Sequence, residues 1–575
     1  MLNLVIVVGG VVIVALVTAL GRRLNIAGPL VLVAIGLLLA VLPFVPDIRP
    51  IDPEWILVGV LPPLLYASAV RLPAIEFRRD FTPIAGLSVS LVVISAVVLG
   101  FFFSWAIPGL SLPLAIALGA ILSPTDAVAT SIVKRMGISP RVVTMLEGES
   151  MLNDATALVL LRTAIAAIAG GFSFGATVGT FLWGVVIALF AGALVGWLTL
   201  RLRVWVANSA ANTALSFTVP FLAYLPTEAL GGSGLVAAVV AGIATSQGAT
   251  RWFTPDQRLS DELNWRTVEL VLEGGVFLVM GLELSDVVRQ NFTEHDGLWH
   301  GTWLALAALG ILLVLRAGYV AFVIWRQGRR ARRFSHADLE RIGDRVAAVA
   351  KGERPPRGRG DPERLKHRAE SIGRRISRMS NDLDYYRASP LGWKHGTIIV
   401  WAGMRGVVTL AAAQTLPREG TEHRPLLIFI AFMVAIVSLL LQGFTLPALV
   451  RLLRIPLEAP GPTRDEQQRL DAELRAAALD AITRSALTRR DGSAFSPDLL
   501  ERVGARLAEP PDDETTVAAR DVLELRRAFI LEMRRRLIEV TATGTFSTAA
   551  LRHALAELDA DQLSVELRLS GEDEE

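Results

Sequence analysis

A few ionisable side chains stand inside long apolar stretches of the chain, and their types and spacing limit the chemistry open to it. One stretch contains Ser123-Pro124-Thr125-Asp126, and the next carries Glu147-Gly148-Glu149-Ser150-Met151-Leu152-Asn153-Asp154. Burying such groups in an apolar span is expensive, so they mark ion pathways or internal pairs. Pro124 removes a backbone donor and disfavours helix at Ser123. A helix break is therefore expected there, with free carbonyls beside a carboxylate, which is how transporters build cation sites. On a helix Glu147, Ser150 and Asp154 share one face, while Glu149 and Asn153 share a neighbouring one. A carboxylate and a hydroxyl then face one small volume. Oxygen ligands of this kind suit a hard monovalent ion stripped of part of its water, and a carboxylate so placed can hold a cation or a proton in turn.

Two arginines complete the internal set. Arg316 lies well inside the apolar run 311–325, and Arg405 interrupts Trp401-Ala402-Gly403-Met404-Arg405-Gly406-Val407-Val408-Thr409, where the glycines predict a second break. Glu269, Glu273 and Glu283 fall in one further segment. Glu269 and Glu283 stand near its ends, which leaves Glu273 as the one that could line a path. Arg162 has no assigned role: it can face an interface or snorkel.

The elements that hold these groups follow from hydropathy. The 575 residues are 52% hydrophobic and 19% charged, with a mean hydropathy of +0.47. That composition points to an all-α polytopic membrane protein. Apolar runs of spanning length recur about thirteen times up to Leu453. The first, from Asn3, is long enough to stay in the membrane and reads as a span rather than a cleaved signal. Basic loops follow the odd-numbered segments and neutral or acidic ones follow the even-numbered segments, which predicts an outside N-terminus and a cytoplasmic C-terminus. Segments five and six correspond to segments twelve and thirteen. That odd offset predicts an inverted repeat.

Residues 1–455 thus form a transmembrane domain, within which 326–394 is a basic cytoplasmic loop with 19 Lys/Arg against 9 Asp/Glu. Residues 456–575 form a helical cytoplasmic tail with 16 Arg against 25 Asp/Glu, read as structural or regulatory. The opposite charges of loop and tail predict mutual attraction that weakens with salt. The loop is read as solvated surface, with contact to anionic membrane lipid as the functional alternative, and nucleic acid is not an expected partner at a net charge of +2. Cysteine is absent and the seven histidines lie in loops, at segment ends or in the tail, so thiol chemistry is excluded and a metal centre or cofactor is not expected.

Ser-Pro-Thr-Asp at 123–126, Glu-Gly-Glu-Ser-Met-Leu-Asn-Asp at 147–154 and Gly-Met-Arg-Gly-Val-Val-Thr-Leu at 403–410 resemble the monovalent cation:proton antiporters, in the sodium/proton exchanger (NhaP-like) branch. The resemblance runs through about the first 455 residues. It implies a homodimer in the cell membrane, with a dimerisation domain and a mobile core domain in which two crossed, broken helices flank the ion site. It also implies that Asp154 binds cation (Na+, K+ or Li+) and proton in turn, with Thr125 and Ser150 as oxygen ligands. Asn153 and Asp126 would hold the broken helices, Glu149 would pair with Arg316, and Arg405 would neutralise helix ends at the second break. An Asn beside the Asp implies electroneutral one-for-one exchange serving intracellular pH and Na+/K+ homeostasis. One position departs from the pattern: after Leu61-Pro62-Pro63-Leu64-Leu65-Tyr66 many relatives place an acid, and this chain has Ala67.

Two other functions fit parts of the sequence. Gly231-Gly232-Ser233-Gly234 matches a serine nucleophile pattern, but no histidine stands within a membrane segment to serve it, and a closely packed helix start explains the glycines. A channel could use the same polar core, and would differ by passing net current under a cation gradient.

Overall fold

In the computed structural model most of residues 2–455 are described, together with short stretches between 472 and 569. Segments 42–53, 334–384, 456–471, 502–522 and 534–556, with several shorter ones, lie outside the described residues. Most of the basic loop and much of the tail therefore lie outside them. The chain divides into two compact units, Met1–Leu457 and Glu458–Glu575. What is described of the second is mainly short helical stretches.

The first unit is helical throughout its described regular structure. Helices α1 (Leu2–Leu24) and α2 (Gly28–Val41) are followed by a π-helical turn, Trp55–Val60, that continues into α3 (Leu61–Arg71). Next come α4 (Ala74–Arg79), α5 (Phe81–Ala85) and, after a second π turn at Gly86–Ser90, α6 (Leu91–Ala106). Helices α7 (Leu112–Leu122) and α8 (Val128–Arg135) precede the long α9 (Pro140–Gly170), α10 (Phe174–Trp205), α11 (Ser209–Ala229) and α12 (Gly234–Trp252). The unit closes with α13 (Pro255–Thr293), α14 (Leu298–Arg333), α15 (Trp393–Trp401), α16 (Val407–Gln414) and α17 (Arg424–Leu453). Among the described residues, five helical stretches are each long and apolar enough to cross a membrane.

Small residues let these helices approach where no water-driven collapse is available. A Cβ on Gly192 of α10 would stand 2.5 Å from the Ala237 carbonyl of α12, and one on Gly119 of α7 would stand 2.4 Å from the Ala96 carbonyl of α6. Buried charge is neutralised between helices. Arg203 of α10 holds Asp261 of α13 in a bidentate pair at 2.6 and 2.7 Å and donates to Asn212 of α11 at 2.7 Å. Arg141, at the start of α9, does the same with the fully buried Asp80 at 2.9 Å. Tyr385 and Tyr386 lie against that arginine's guanidinium. Burial, with Asp80 beside it, raises the Tyr385 phenol, so it stays protonated and donates to Asp80 at 3.3 Å.

Ser233 is the N-cap of α12, accepting from the Val236 N–H at 3.5 Å. Gly231 before it has φ +73°, which favours glycine. The Gly-Gly-Ser-Gly run is thus a turn into a helix.

Candidate functional site

Two of the helices are interrupted, and their interruptions meet. The chain leaves helix between Leu122 at the end of α7 and Val128 at the start of α8, and again between Trp401 and Val407. The Asp126 N–H donates to the Met404 carbonyl at 2.7 Å, a bond from one break to the other. The approach is close enough to need glycine: a Cβ on Gly406 would fall 1.5 Å from an Asp126 carboxylate oxygen.

Carbonyls left over at the breaks are taken up by Arg405, which is 2% exposed. Its Nε donates to the Leu122 carbonyl, the last of α7, at 3.2 Å, and its Nη1 donates to the Gly403 carbonyl. The Arg405 N–H is received by Ser438 of α17 at 3.0 Å. A cation thus sits at the negative end of the α7 dipole.

Helix α9 passes beside this crossing and divides its polar residues between two faces. Glu149, 1% exposed, forms a bidentate pair with Arg316 of α14, one arm of it at 2.8 Å, while Arg316 Nε donates to the Ile399 carbonyl at 3.0 Å. The Thr125 hydroxyl donates to Glu149 at 3.3 Å and accepts from Asn153 Nδ2 at 2.7 Å. Asn153 therefore ties α9 to the first break, and the Thr125 oxygen keeps one lone pair. Asn153 Oδ1 has no hydrogen-bond partner among the described residues.

The other face opens onto a cavity of about 870 Å³. Thr125 and Asp126, Ser150 and Asp154, and Gly406 and Thr409 line it, together with Ser68 and Arg71 of α3, Thr245 of α12 and Glu269 and Glu273 of α13. Lys134, Arg135 and Arg258 also line it, so its mouth is at the end of the molecule that carries the basic loops, the basic end. Asp154 is 8% exposed, and among the described residues its carboxylate makes no hydrogen bond or ion pair. The buried acids Asp80, Glu149 and Asp261 are each held by an arginine, and among the described residues Asp154 is not.

Some sequence readings fall elsewhere. Ala67 is fully buried against Tyr66, Val219, Ala223 and Trp265, and the cavity wall beside it is made by Leu64, Leu65 and Ser68. Glu269 pairs with Arg71, and Glu283 accepts from Gln414. Arg162 pairs with Glu228 of α11, a partner that sequence reasoning missed because 66 positions separate them. Thr409 was also missed as a lining residue, although it stands in the Gly-Met-Arg-Gly-Val-Val-Thr run. Counting three residues on from the break would have placed it in the first turn of the second half-helix.

A cavity that leads from one end of a helical membrane bundle to a buried carboxylate without a partner among the described residues, beside two helix breaks that meet, has the features of a carrier of small cations. The sequence profile of the family described as sodium/hydrogen exchanger, transmembrane, matches residues 11–349 and 374–452, and the chain belongs to that family. It is a monovalent cation:proton antiporter and a multi-pass protein of the cell membrane. It is 29% identical to the uncharacterized Na+/H+ exchanger Rv2287 of Mycobacterium tuberculosis, over 97% of this chain and 96% of that one. It is 30% identical to the uncharacterized Na+/H+ exchanger YjcE of Escherichia coli, over 92% and 88%. A sodium, potassium, lithium and rubidium/H+ antiporter of Bacillus pumilus is 28% identical over 73% of this chain and 57% of its own. The solved sodium proton antiporter MjNhaP1 of Methanocaldococcus jannaschii shares the fold, with a TM-score of 0.55 and 18% identity over 79% of this chain and 100% of that one.

Proposed function

We propose that the protein exchanges one monovalent cation for one proton, with Na+ as the principal cation and K+ and Li+ as alternatives, and so serves intracellular pH and Na+/K+ homeostasis. The observation that carries this reading is the Asp154 carboxylate, buried, unpaired and reached by a cavity from the basic end, which the distribution of Lys and Arg makes the cytoplasmic one. The names of the relatives support both a Na+-specific and a broader cation range.

Ionised Asp154 takes a partly dehydrated cation, with Ser150 and Thr125 supplying neutral oxygens. Protonation neutralises the same carboxylate when the cation has left. The crossed breaks and α9 then move as one body against α3, α12 and α13, opening the site to the other side. An empty charged site is too costly to carry through the hydrophobic barrier, so only a loaded or protonated one crosses. Asp126 and Asn153 hold the two breaks and α9 together, Arg405 compensates the helix ends, and the buried Glu149–Arg316 pair braces the site. Asn153, being uncharged, leaves a single exchanging carboxylate, which makes the cycle electroneutral. The second half of the repeat is inserted upside down relative to the first, the protein works as a homodimer, and the tail is structural or regulatory.

The test is exchange in proteoliposomes with Na+, K+ and Li+ presented separately, comparing wild type with Asp154→Asn. Wild type should move protons in response to a cation gradient without net current, and the variant should assemble but move none. Wild-type exchange by the variant overturns the reading.

A further inference from the structure

Two groups on the cavity wall have no part in the exchange described above. Glu273, on α13, is half-buried, lines the cavity, and makes no hydrogen bond or ion pair among the described residues. Its neighbour one turn back differs: Glu269 is held by Arg71 and lies within 3.5 Å of the Ser68 hydroxyl. The charged groups whose fields reach Glu273 are Asp126, from the inner end of the cavity, and Arg71, from the wall nearer the mouth. Along α13 the lining residues Arg258, Glu262, Arg266 and Glu269 lead from the basic end to Glu273, which therefore lies inward of the mouth.

Thr409, on α16, lines the same cavity, and its hydroxyl oxygen is buried at 1% residue exposure without a hydrogen-bond partner among the described residues. Threonines in membrane helices usually satisfy the hydroxyl on the carbonyl four residues back, as Thr199, Thr227 and Thr245 do here. For Thr409 that carbonyl belongs to Arg405, inside the break, so the ordinary partner is lost. Helices α13 and α16 pack on one another, and Gln414 of α16 donates to Glu283 of α13. An unneutralised carboxylate and an unsatisfied hydroxyl thus line one cavity together with Asp154.

We propose that Glu273 and Thr409 form a second, outer cation subsite, which receives a monovalent cation still carrying part of its water before it reaches Asp154. This rests on the exchange reading above. A carboxylate in a water-filled recess with low-dielectric walls concentrates cations from the facing solution and shortens the search for the inner site. The bound cation also offsets the combined negative field of Asp126 and Asp154, and the Thr409 oxygen supplies a neutral ligand where the shed water leaves a gap. The subsite belongs to the face onto which the cavity opens, so its effect is one-sided.

The test uses full-length protein in proteoliposomes of known orientation, with Na+ as the probe, and compares Glu273→Gln, Glu273→Asp and Thr409→Val with wild type. For cation presented at the basic end, Glu273→Gln should raise the half-saturating Na+ concentration by about tenfold at low ionic strength, with an unchanged maximal rate. An impermeant organic salt should narrow the difference, and Glu273→Asp should restore most of it. Thr409→Val should raise the same value severalfold, and it carries the test alone if Glu273→Gln does not assemble. For cation presented at the other face, neither value should move. Wild-type half-saturation in both variants, or an equal rise at both faces, overturns the subsite. Those outcomes stay distinct from failure of the exchange reading, which shows as a wild type that exchanges nothing or an Asp154→Asn variant that exchanges normally.

Discussion

Arg162, on the helix that carries Asp154, is ion-paired with Glu228 at the end of α11. The pair lies beyond Asp154, eight residues or roughly 12 Å further along α9, on the side away from the cavity mouth. Both side chains are partly exposed, so the pair adds at most ~1 kcal/mol to stability. Its position gives it another consequence: if the site opens to the far side by movement of α9 against α11, this contact must part. The chain has no cysteine, so Arg162→Cys with Glu228→Cys introduces the only two thiols. Bridging the two thiols with a reducible bis-methanethiosulfonate of a length matching the ion pair should stop exchange, and reduction should restore it. Undiminished exchange by the crosslinked protein, measured in proteoliposomes, would count against movement at this contact.

The Glu149–Arg316 pair behaves differently because it is almost wholly buried, at 2% side-chain exposure on both partners. Removing one partner leaves an uncompensated charge, which costs roughly 3–5 kcal/mol. Arg316→Ala and Glu149→Gln should both lower the unfolding temperature in detergent and reduce the yield of assembled protein. Joint replacement by apolar residues of similar volume, Glu149→Leu with Arg316→Met, should recover part of the stability, since no charge is stranded. A joint variant as unstable as Arg316→Ala would show that the pair contributes more than mutual neutralisation.

Gly406→Ala places a methyl group onto the Asp126 carboxylate, 1.5 Å from an oxygen. The two breaks must separate to admit it, so exchange should fall by at least about tenfold while membrane insertion continues. Gly310→Ala, on α14, meets nothing within 4 Å and should exchange as wild type does. Transport assays on the two variants side by side check whether the contact between breaks sets the rate.

Ser233 offers a test against peptidase chemistry. As the cap of α12 its hydroxyl satisfies one backbone N–H, so Ser233→Ala should cost about 1 kcal/mol of stability and leave exchange intact. Labelling by a fluorophosphonate at Ser233 would contradict this.

What the sequence could reveal depended on whether the cause was local. Pro124 and the glycines at 403 and 406 act on their own backbone, and helical spacing along 147–154 assigns Glu147, Ser150 and Asp154 to one face whatever surrounds them, so the breaks and the cavity-facing residues were legible. Partners far apart in the chain were not: nothing local pairs Arg203 with Asp261, Arg141 with Asp80, or Arg162 with Glu228. Ala67, where the chain departs from the acid that many relatives carry, lies buried in a cluster of small residues and aromatic rings, and Ser68 beside it lines the cavity, a placement set by distant helices. Glu273 could be singled out from its mid-segment place in α13, while Thr409 could not, because its hydroxyl loses its usual acceptor only through the break three residues before it.

The most direct measurement is the half-saturating Na+ concentration for exchange as a function of pH, in wild-type proteoliposomes with equal pH on both sides. If one carboxylate, Asp154, binds cation and proton in competition, that concentration should rise by about tenfold per pH unit on the acid side of its titration, at constant maximal rate, and level off on the alkaline side. A half-saturating concentration that stays flat across the whole range would contradict a shared site.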